Sequence, residues 1–440
     1  DKILRFRNHP SIAVWCARNE GPPPPEIDAE LRKLMAELEP TRLYQPSSTD
    51  GRGVKSNGPY KWRTPREFYK VDAAFKTETG TVSVPTLESI QSMMPAKDLL
   101  TINDDWAEHD LAKGASGGDK FPGILAARYG PIANVADFAR KSQLADYEAF
   151  RALYEGRNSA LFHPTTGVLT WMSSPAHPSF VWQIYSYDLE PFSSFFATMH
   201  ASEAQHIQLN QLNDHIQIIN NLPTALNATA HLTVYNLNGT VASQHDYPVT
   251  APADEALDLG PIAFPTVLTP VHFIRLDLTT PTNEILSTST YWRGSAPNID
   301  DFTALNTLPT VTLEPTINRT DADGRTTLTV TLHNPSTNIA LMTHLQLHRE
   351  TSTVTLTDSR VLPVTYTDNY ITLTPNETRT VTIEAATADL ENHAAIVEVD
   401  GYNVAITPAS THGASITLNL NAQPTLYPTT GLPFQTENLR

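Results

Sequence analysis

The sequence predicts an α/β unit followed by all-β domains, and a change of texture near residue 204 is the main reason. Residues 1–203 mix short apolar runs with stretches of helical spacing and hold most of the tryptophans. From residue 204 onward, apolar and polar residues alternate at a period of two between turns. The first pattern suits parallel strands joined by helices, and the second suits half-buried strands of packed sheets. Length agrees, since 440 residues exceed one ordinary domain.

In HPSIAVWCARNEGPPPP, residues 9–25, the apolar run Ile12 to Trp15 drives into Arg18, Asn19 and Glu20 and then four prolines. IDAELRKLMAELEP (27–40) spaces Ile27, Leu31, Leu34, Met35 and Leu38 along one helix face and closes on Pro40. Strands are expected at RLYQPSS (42–48), VDAAFKTET (71–79) and GVLTWM (167–172). Helices are expected at PTLESIQSMM (85–94) and at NVADFARKSQLADYEAFRALYEG (134–156), the second stopping at its glycine. Beyond residue 204, segments such as HIQLNQLNDHIQIINNL, VHFIRLDLTT, TTLTVTLHNPS and AAIVEVDGYNV are rich in Thr, Val and Ile, as pleated surfaces prefer. The expected divisions are an α/β unit at 1–203, sandwiches at 204–293 and 309–420, a linker at 294–308 and a surface-wrapping tail at 421–440.

A net charge of −17 without a basic stripe argues against nucleic acid as a partner. No apolar run approaches the roughly 20 residues that span a bilayer, so no membrane partner is expected. Cys16 is the only cysteine, which forbids an internal disulfide, and its apolar strand predicts a small buried hydrophobe. The histidines lack metal-ligand spacing and no glycine-rich phosphate loop occurs, so neither a metal nor a cofactor is expected. No basic-apolar leader opens the chain.

Glu20 ends one strand, Glu78 ends another in AAFKTETG, and GVLTWM brings Trp171 to the end of a third. If the strands belong to a β/α barrel, chemistry belongs at these carboxyl ends. Two carboxylates and a tryptophan there are what a glycosidase needs. One carboxyl protonates the departing oxygen, the other attacks or activates water, and an aromatic face supports a sugar ring.

The same residues carry a family likeness. HPSIAVWCARNE resembles the strand-four signature of glycoside hydrolase family 2, and AAFKTETGTVSVPTLESIQSMMP resembles its nucleophile segment. NGPYKW (57–62), TTGVLTWM with FVWQIYSY, and ASEAQHIQLN resemble the branch of exo-β-D-glucosaminidases, β-mannosidases and plant endo-β-mannosidases. VLPVTYTDNYITLTPNETRTV (361–381) resembles a strand pair in that branch's C-terminal immunoglobulin-like domain, so the likeness runs from about residue 8 to 405. It implies the C-terminal half of a (β/α)8 TIM barrel, strands 4–8, followed by two immunoglobulin-like β-sandwiches. Such proteins begin with a sugar-binding sandwich, another immunoglobulin-like domain and three more barrel strands. Another polypeptide or a preceding segment is therefore expected to complete the barrel, and a secreted or periplasmic setting is implied.

The likeness assigns Glu20 as general acid/base and Glu78 as nucleophile of a retaining hydrolase, with carboxyl groups roughly 5–5.5 Å apart. The hydroxyls of Thr77 and Thr79 are expected to hydrogen-bond Glu78. Asn19 would bond the sugar 2-hydroxyl, with a turn asparagine as the alternative. Tyr60 approaches the nucleophile, lines the pocket or simply packs, Trp171 and Trp182 are sugar platforms or core residues, and His177 is a surface histidine. Two departures stand out. Bacterial and fungal exo-glucosaminidases usually carry Ser-Asp in place of Asn19-Glu20, and relatives commonly have a tryptophan at His177 and an aspartate near Ser186. An ammonium has three donors and no acceptor, so asparagine suits a 2-hydroxyl better. A β-mannosidase-like glycoside substrate is expected first and a chitosan glucosaminide second. The alternative outside enzymology is a carbohydrate-binding protein with a retired barrel.

Overall fold

Five short parallel strands form the start of the molecule: β1 (Val14–Arg18), β2 (Leu43–Ser47), β3 (Val54–Lys55), β4 (Phe75–Thr79) and β5 (Gly167–Thr170). The computed structural model describes residues 1–410 apart from 51–52, 57, 71–74, 112–116, 181 and 351–358. The expected tail at 421–440 therefore lies outside the described residues, as do 411–420 of the second sandwich. Val14 pairs with Leu43, Val54 with Phe75, and Phe75 with Gly167, all in parallel register. The Ser56 N–H donates to the Ser48 carbonyl at 2.7 Å and joins the β1–β2 pair to the β3–β4–β5 set. Parallel pairing throughout brings the carboxyl ends of the strands to one side.

The helices are α1 (Lys2–Phe6), α2 (Pro25–Leu38), α3 (Leu87–Met93), α4 (Asp104–Glu108), α5 (Phe121–Tyr129), α6 (Val135–Asn158) and α7 (Ser193–Ala201). The last of the four prolines opens α2, where its missing N–H is no loss, and Glu26 and Asp28 complement the helix dipole in the first turn. The long helix α6 starts where the Asn134 side chain accepts from the Asp137 N–H. It does not stop at Gly156 as expected but runs on to Asn158. Gly156 serves close approach instead: a Cβ there would stand 2.3 Å from the Phe68 carbonyl oxygen.

Cys16 also departs from expectation, since it is exposed. Strand β1 pairs only with β2 among the described residues, at the edge of its sheet.

The β-rich part begins with β6 (Gln205–Asn210), β7 (His215–Asn220), β8 (Leu226–Asn236), β9 (Val241–Ala251), β10 (Glu255–Pro261), β11 (Val271–Thr279) and β12 (Ile285–Gly294). These make antiparallel sheets ordered β10-β7-β6 and β12-β11-β8-β9 around Ile207, Ile218, Val234 and Leu276. Next come β13 (Glu314–Ala322), β14 (Arg325–His333), β15 (Ala340–Arg349), β16 (Thr365–Tyr366), β17 (Ile371–Leu373), β18 (Thr378–Ala386), β19 (Ala395–Asp400) and β20 (Thr407–Ser410). Their sheets run β13-β14-β18-β16 and β17-β15-β19-β20. Val330, Leu345 and Val397 of this second sandwich share one apolar core with Phe138 of α6 and Phe196 of α7. The segment between the sandwiches is packed rather than free, with Phe302 and Leu305 buried. Its Asp300 pairs at 3.0 Å with Arg128, whose guanidinium also meets Glu148 at 2.9 Å and lies over the Trp62 and Phe302 rings.

Candidate active site

Asn19 and Glu20 follow β1 directly, both exposed, and Glu20 turns the chain through a left-handed φ of 51°. Ser48, at the end of β2, ties this tip down. The Glu20 N–H donates to Ser48 Oγ at 2.9 Å, and Ser48 Oγ lies 2.9 Å from Asn19 Oδ1. An amide oxygen only accepts, so the single Ser48 proton goes to Asn19. Ser56, 2.7 Å from Ser48 Oγ, must then donate to it. This chain of donors occupies the Asn19 carbonyl and leaves its amide N–H groups without an acceptor among the described residues.

Strand β4 delivers Glu78, and the Tyr60 phenol donates to Glu78 Oε1. Burial, the bond to Glu78 and the charges of Glu78 and Glu20 together push the Tyr60 phenol above the ordinary tyrosine range. Tyr60 has a φ of 56°, and its N–H donates to the Gly80 carbonyl at 2.9 Å. Its own carbonyl accepts from Trp182 Nε1 at 2.7 Å, and the two rings sit 5.2 Å apart. Trp182 thus braces Tyr60 from behind. Thr79 does not bond Glu78 as expected; its hydroxyl donates to the Gly58 carbonyl at 3.1 Å, and Tyr60 fills the expected role.

Trp171 is held by its N–H to the Thr79 carbonyl at 2.7 Å, and its side chain is 46% exposed, which excludes core packing. Gly80 is needed beside it, because a Cβ there would meet the Trp171 carbonyl oxygen at 2.1 Å. His177 is exposed and paired with Asp110 at 3.0 Å. Ser186 is fully buried and bonds Asp188, whose carboxylate also takes Arg360 at 2.8 Å, so neither residue opens onto the strand ends as a free group. Among the described residues, no group of three His, Cys, Asp or Glu side chains could hold a metal ion. Tyr60 joins Glu78 with Trp182 behind, Asn19 and Glu20 stand together past the end of β1, and Trp171 follows β5, the strand beside β4. Ser48 and Ser56 are the site residues that sequence reasoning missed; for Ser48 the serine pair closing RLYQPSS was the available signal, and Ser56 had none.

Comparison with known proteins bears on this geometry. Residues 289–404 match the exo-β-D-glucosaminidase Ig-fold domain. The chain is 28% identical to an exo-β-D-glucosaminidase of Streptomyces avermitilis over 92% of its own length and 49% of the relative's. It is 27% identical to a mannosylglycoprotein endo-β-mannosidase of Lilium longiflorum over 66% of its length and 36% of that protein. The crystal structure of the Amycolatopsis orientalis exo-chitosanase superposes with a TM-score of 0.81 at 26% identity, covering 93% of this chain and 53% of that one. The chain spans about half the length of the curated relatives it matches. These relatives are glycoside hydrolases. Over the span compared, the chain is similar to members of glycoside hydrolase family 2, in the branch of exo-β-D-glucosaminidases, β-mannosidases and plant endo-β-mannosidases.

Proposed function

We propose that the protein is a retaining β-glycoside hydrolase acting on β-linked hexosides that carry a 2-hydroxyl, mannosides foremost. The Tyr60 bond to Glu78 at the end of β4, with Glu20 just past the end of β1, is the observation that carries the reading. In the first step Glu20 gives its proton to the glycosidic oxygen while Glu78 attacks the anomeric carbon, so the aglycone leaves as an alcohol. Tyr60 occupies Oε1 of Glu78, which leaves Oε2 as the attacking atom. In the second step Glu20 takes a proton from water, the water oxygen displaces Glu78, and the sugar departs with its original configuration. Trp171 supplies an aromatic face for the ring.

With this reading goes an architecture. Residues 1–203 are the C-terminal half of a (β/α)8 barrel, completed by a preceding segment or another polypeptide, and residues 204–293 and 309–420 are two immunoglobulin-like sandwiches. The substrate preference rests on Asn19. Its carbonyl is committed to Ser48, so it offers the sugar a donor. A hydroxyl oxygen accepts from that donor, whereas an ammonium cannot. A second reading, exo-β-D-glucosaminidase action on chitosan oligosaccharides, is favoured by the names of most relatives and by the −17 charge. The contact outranks the field, because charge attraction is screened beyond roughly 8–10 Å at ordinary ionic strength.

The test is kcat/KM of the full-length protein for nitrophenyl β-mannoside and β-glucosaminide at one pH. Preference for the mannoside is expected. Preference for the amino sugar overturns the choice of substrate, and hydrolysis of neither, nor of other nitrophenyl β-hexosides, overturns the enzymatic reading.

A further inference from the structure

A cavity of about 220 Å³ lies in the seam between the α/β unit and the second sandwich, with α3 and α6 on one side and β15 and β19 on the other. It falls below the roughly 300–1,000 Å³ of drug-sized sites. Glu398 of β19 lines it, is only 8% exposed, and its Oε2 meets no hydrogen-bond donor among the described residues. A buried carboxylate oxygen left unpaired is costly, so such an atom marks a missing partner.

The other charged groups facing the cavity come from every wall: Glu88 of α3, Arg140 of α6, His344 of β15 and Asp400 of β19. Two cations are already committed. His344 Nδ1 is paired with Asp400 at 2.8 Å. Arg140 is held by Asp137 at 2.8 Å and by the Tyr402 carbonyl at 2.7 Å, and it stacks on the Tyr402 ring. Glu398 and Glu88 are left with no ion-pair partner among the described residues. Leu87, Ala139, Leu144, Met342 and Ile406 supply apolar wall around them.

We propose that this cavity binds a primary ammonium ion on a compact apolar body, its N–H groups donating to Glu398 Oε2 with Glu88 facing the same charge. The anionic sites suit the head and the aliphatic lining suits the body. The empty cavity handles Glu398 by keeping its proton: burial, then the nearby charges of Asp400 and Glu88, pushes its carboxyl up to about 8. Arrival of a cation favours the ionised form and expels that proton.

Isothermal titration of the full-length protein with benzylammonium chloride at pH 7, in two buffers of different ionisation enthalpy, tests this. Saturable binding is expected with release of about one proton per ligand, since a carboxyl poised above the working pH must ionise to pair. Benzyl alcohol, the neutral analogue, should not bind. Glu398→Gln should weaken benzylammonium binding at least tenfold, and Ala139→Phe, which fills the cavity from α6, should abolish it. The proton count in the unaltered protein holds whether or not either variant folds. Absence of binding, binding without proton release, equal binding of benzyl alcohol, or undiminished binding in two folded variants each overturns the proposal.

Discussion

At the scale of the residue, hydroxyl groups hold the strand-end residues: Tyr60 bonds the Glu78 carboxylate, and Ser48 bonds the Glu20 N–H and the Asn19 carbonyl. The two carboxylates were legible in the sequence because each closes an apolar run. Ser48 was not, because it reaches Glu20 and Asn19 across 28 and 29 positions, and only the pairing of β1 with β2 brings them together. The roles separate by experiment. Glu20→Gln should spare turnover of glycosides whose leaving group needs no proton and should slow the others, whereas Glu78→Gln should abolish turnover of all. Equal loss on activated and unactivated substrates in Glu20→Gln would reject the assignment. Tyr60→Phe removes a hydrogen bond to a charged group, worth about 1.5–3 kcal/mol. If that bond orients Glu78 for attack, kcat should fall roughly ten- to hundredfold while KM changes little, because each 1.36 kcal/mol on the barrier is about tenfold in rate. A change in KM alone would place Tyr60 in binding rather than in orienting the nucleophile.

At the scale of the element, periodicity located α2, α3 and α6 and the strands around them, because an amphipathic face repeats locally. It misjudged Gly156, because a glycine that ends a helix and a glycine that admits another backbone look alike in one dimension. The distinction gives a prediction with an unusual sign. Replacing an interior helical glycine by alanine normally gains up to about 1 kcal/mol from backbone entropy. Here the new Cβ would meet the Phe68 carbonyl oxygen at 2.3 Å and the Tyr69 nitrogen at 3.1 Å, both backbone atoms that no rotamer change can clear. Gly156→Ala should therefore destabilise, by roughly 1–3 kcal/mol as overpacking does. Urea unfolding with an unchanged m-value and a lower midpoint would show it, and a raised midpoint would mean the 3-10 turn at Pro65–Tyr69 shifts freely.

At the scale of the whole molecule, the parts are locked by contacts between residues far apart in sequence, which no local pattern reveals. Arg275 of the first sandwich takes Glu377 of the second at 3.0 Å, and His200 of α7 takes Asp368 at 2.8 Å. The second sandwich also sends Gln346 to Glu190 at 2.6 Å and Arg360 to Asp188 at 2.8 Å. The seam has a pH signature. Against the burial that pulls it down, the Asp400 carboxylate raises His344 from 6.5 to about 9, so its contribution is complete below pH 6.5 and lost as pH climbs through 9. Glu398, raised from 4.5 to about 8, acts in the same direction: between those values the folded protein keeps a proton that the unfolded chain has shed. The melting temperature should thus fall from pH 6.5 to 9. Glu398→Gln should flatten the slope below pH 8 and leave the His344 part, and an unchanged slope would remove Glu398 from the account.

The parallel strands raise the remaining question at this scale. Strands β1 and β5 each have one neighbour, and β2 and β3 are joined through the Ser56–Ser48 backbone bond rather than a ladder, so both outer edges of this arc are unpaired among the described residues. Leu43 on β2 and Leu169 on β5 are 42% and 52% exposed, and Leu4 and Phe6 of α1 are exposed as well. Unpaired edges and bare apolar surface invite association with any strand that fits. Relatives are about twice as long, since this chain covers 49% and 42% of two of them. On the proposed half-barrel reading, we expect the 440-residue chain expressed alone to aggregate or to lack turnover, and co-expression with a polypeptide supplying further barrel strands to give a monodisperse, active complex. Size-exclusion chromatography with light scattering and a nitrophenyl glycoside assay on each sample decide the matter. A monodisperse, active product from the chain alone would mean that the arc closes by itself, and the half-barrel reading would fall even with both carboxylates in their roles.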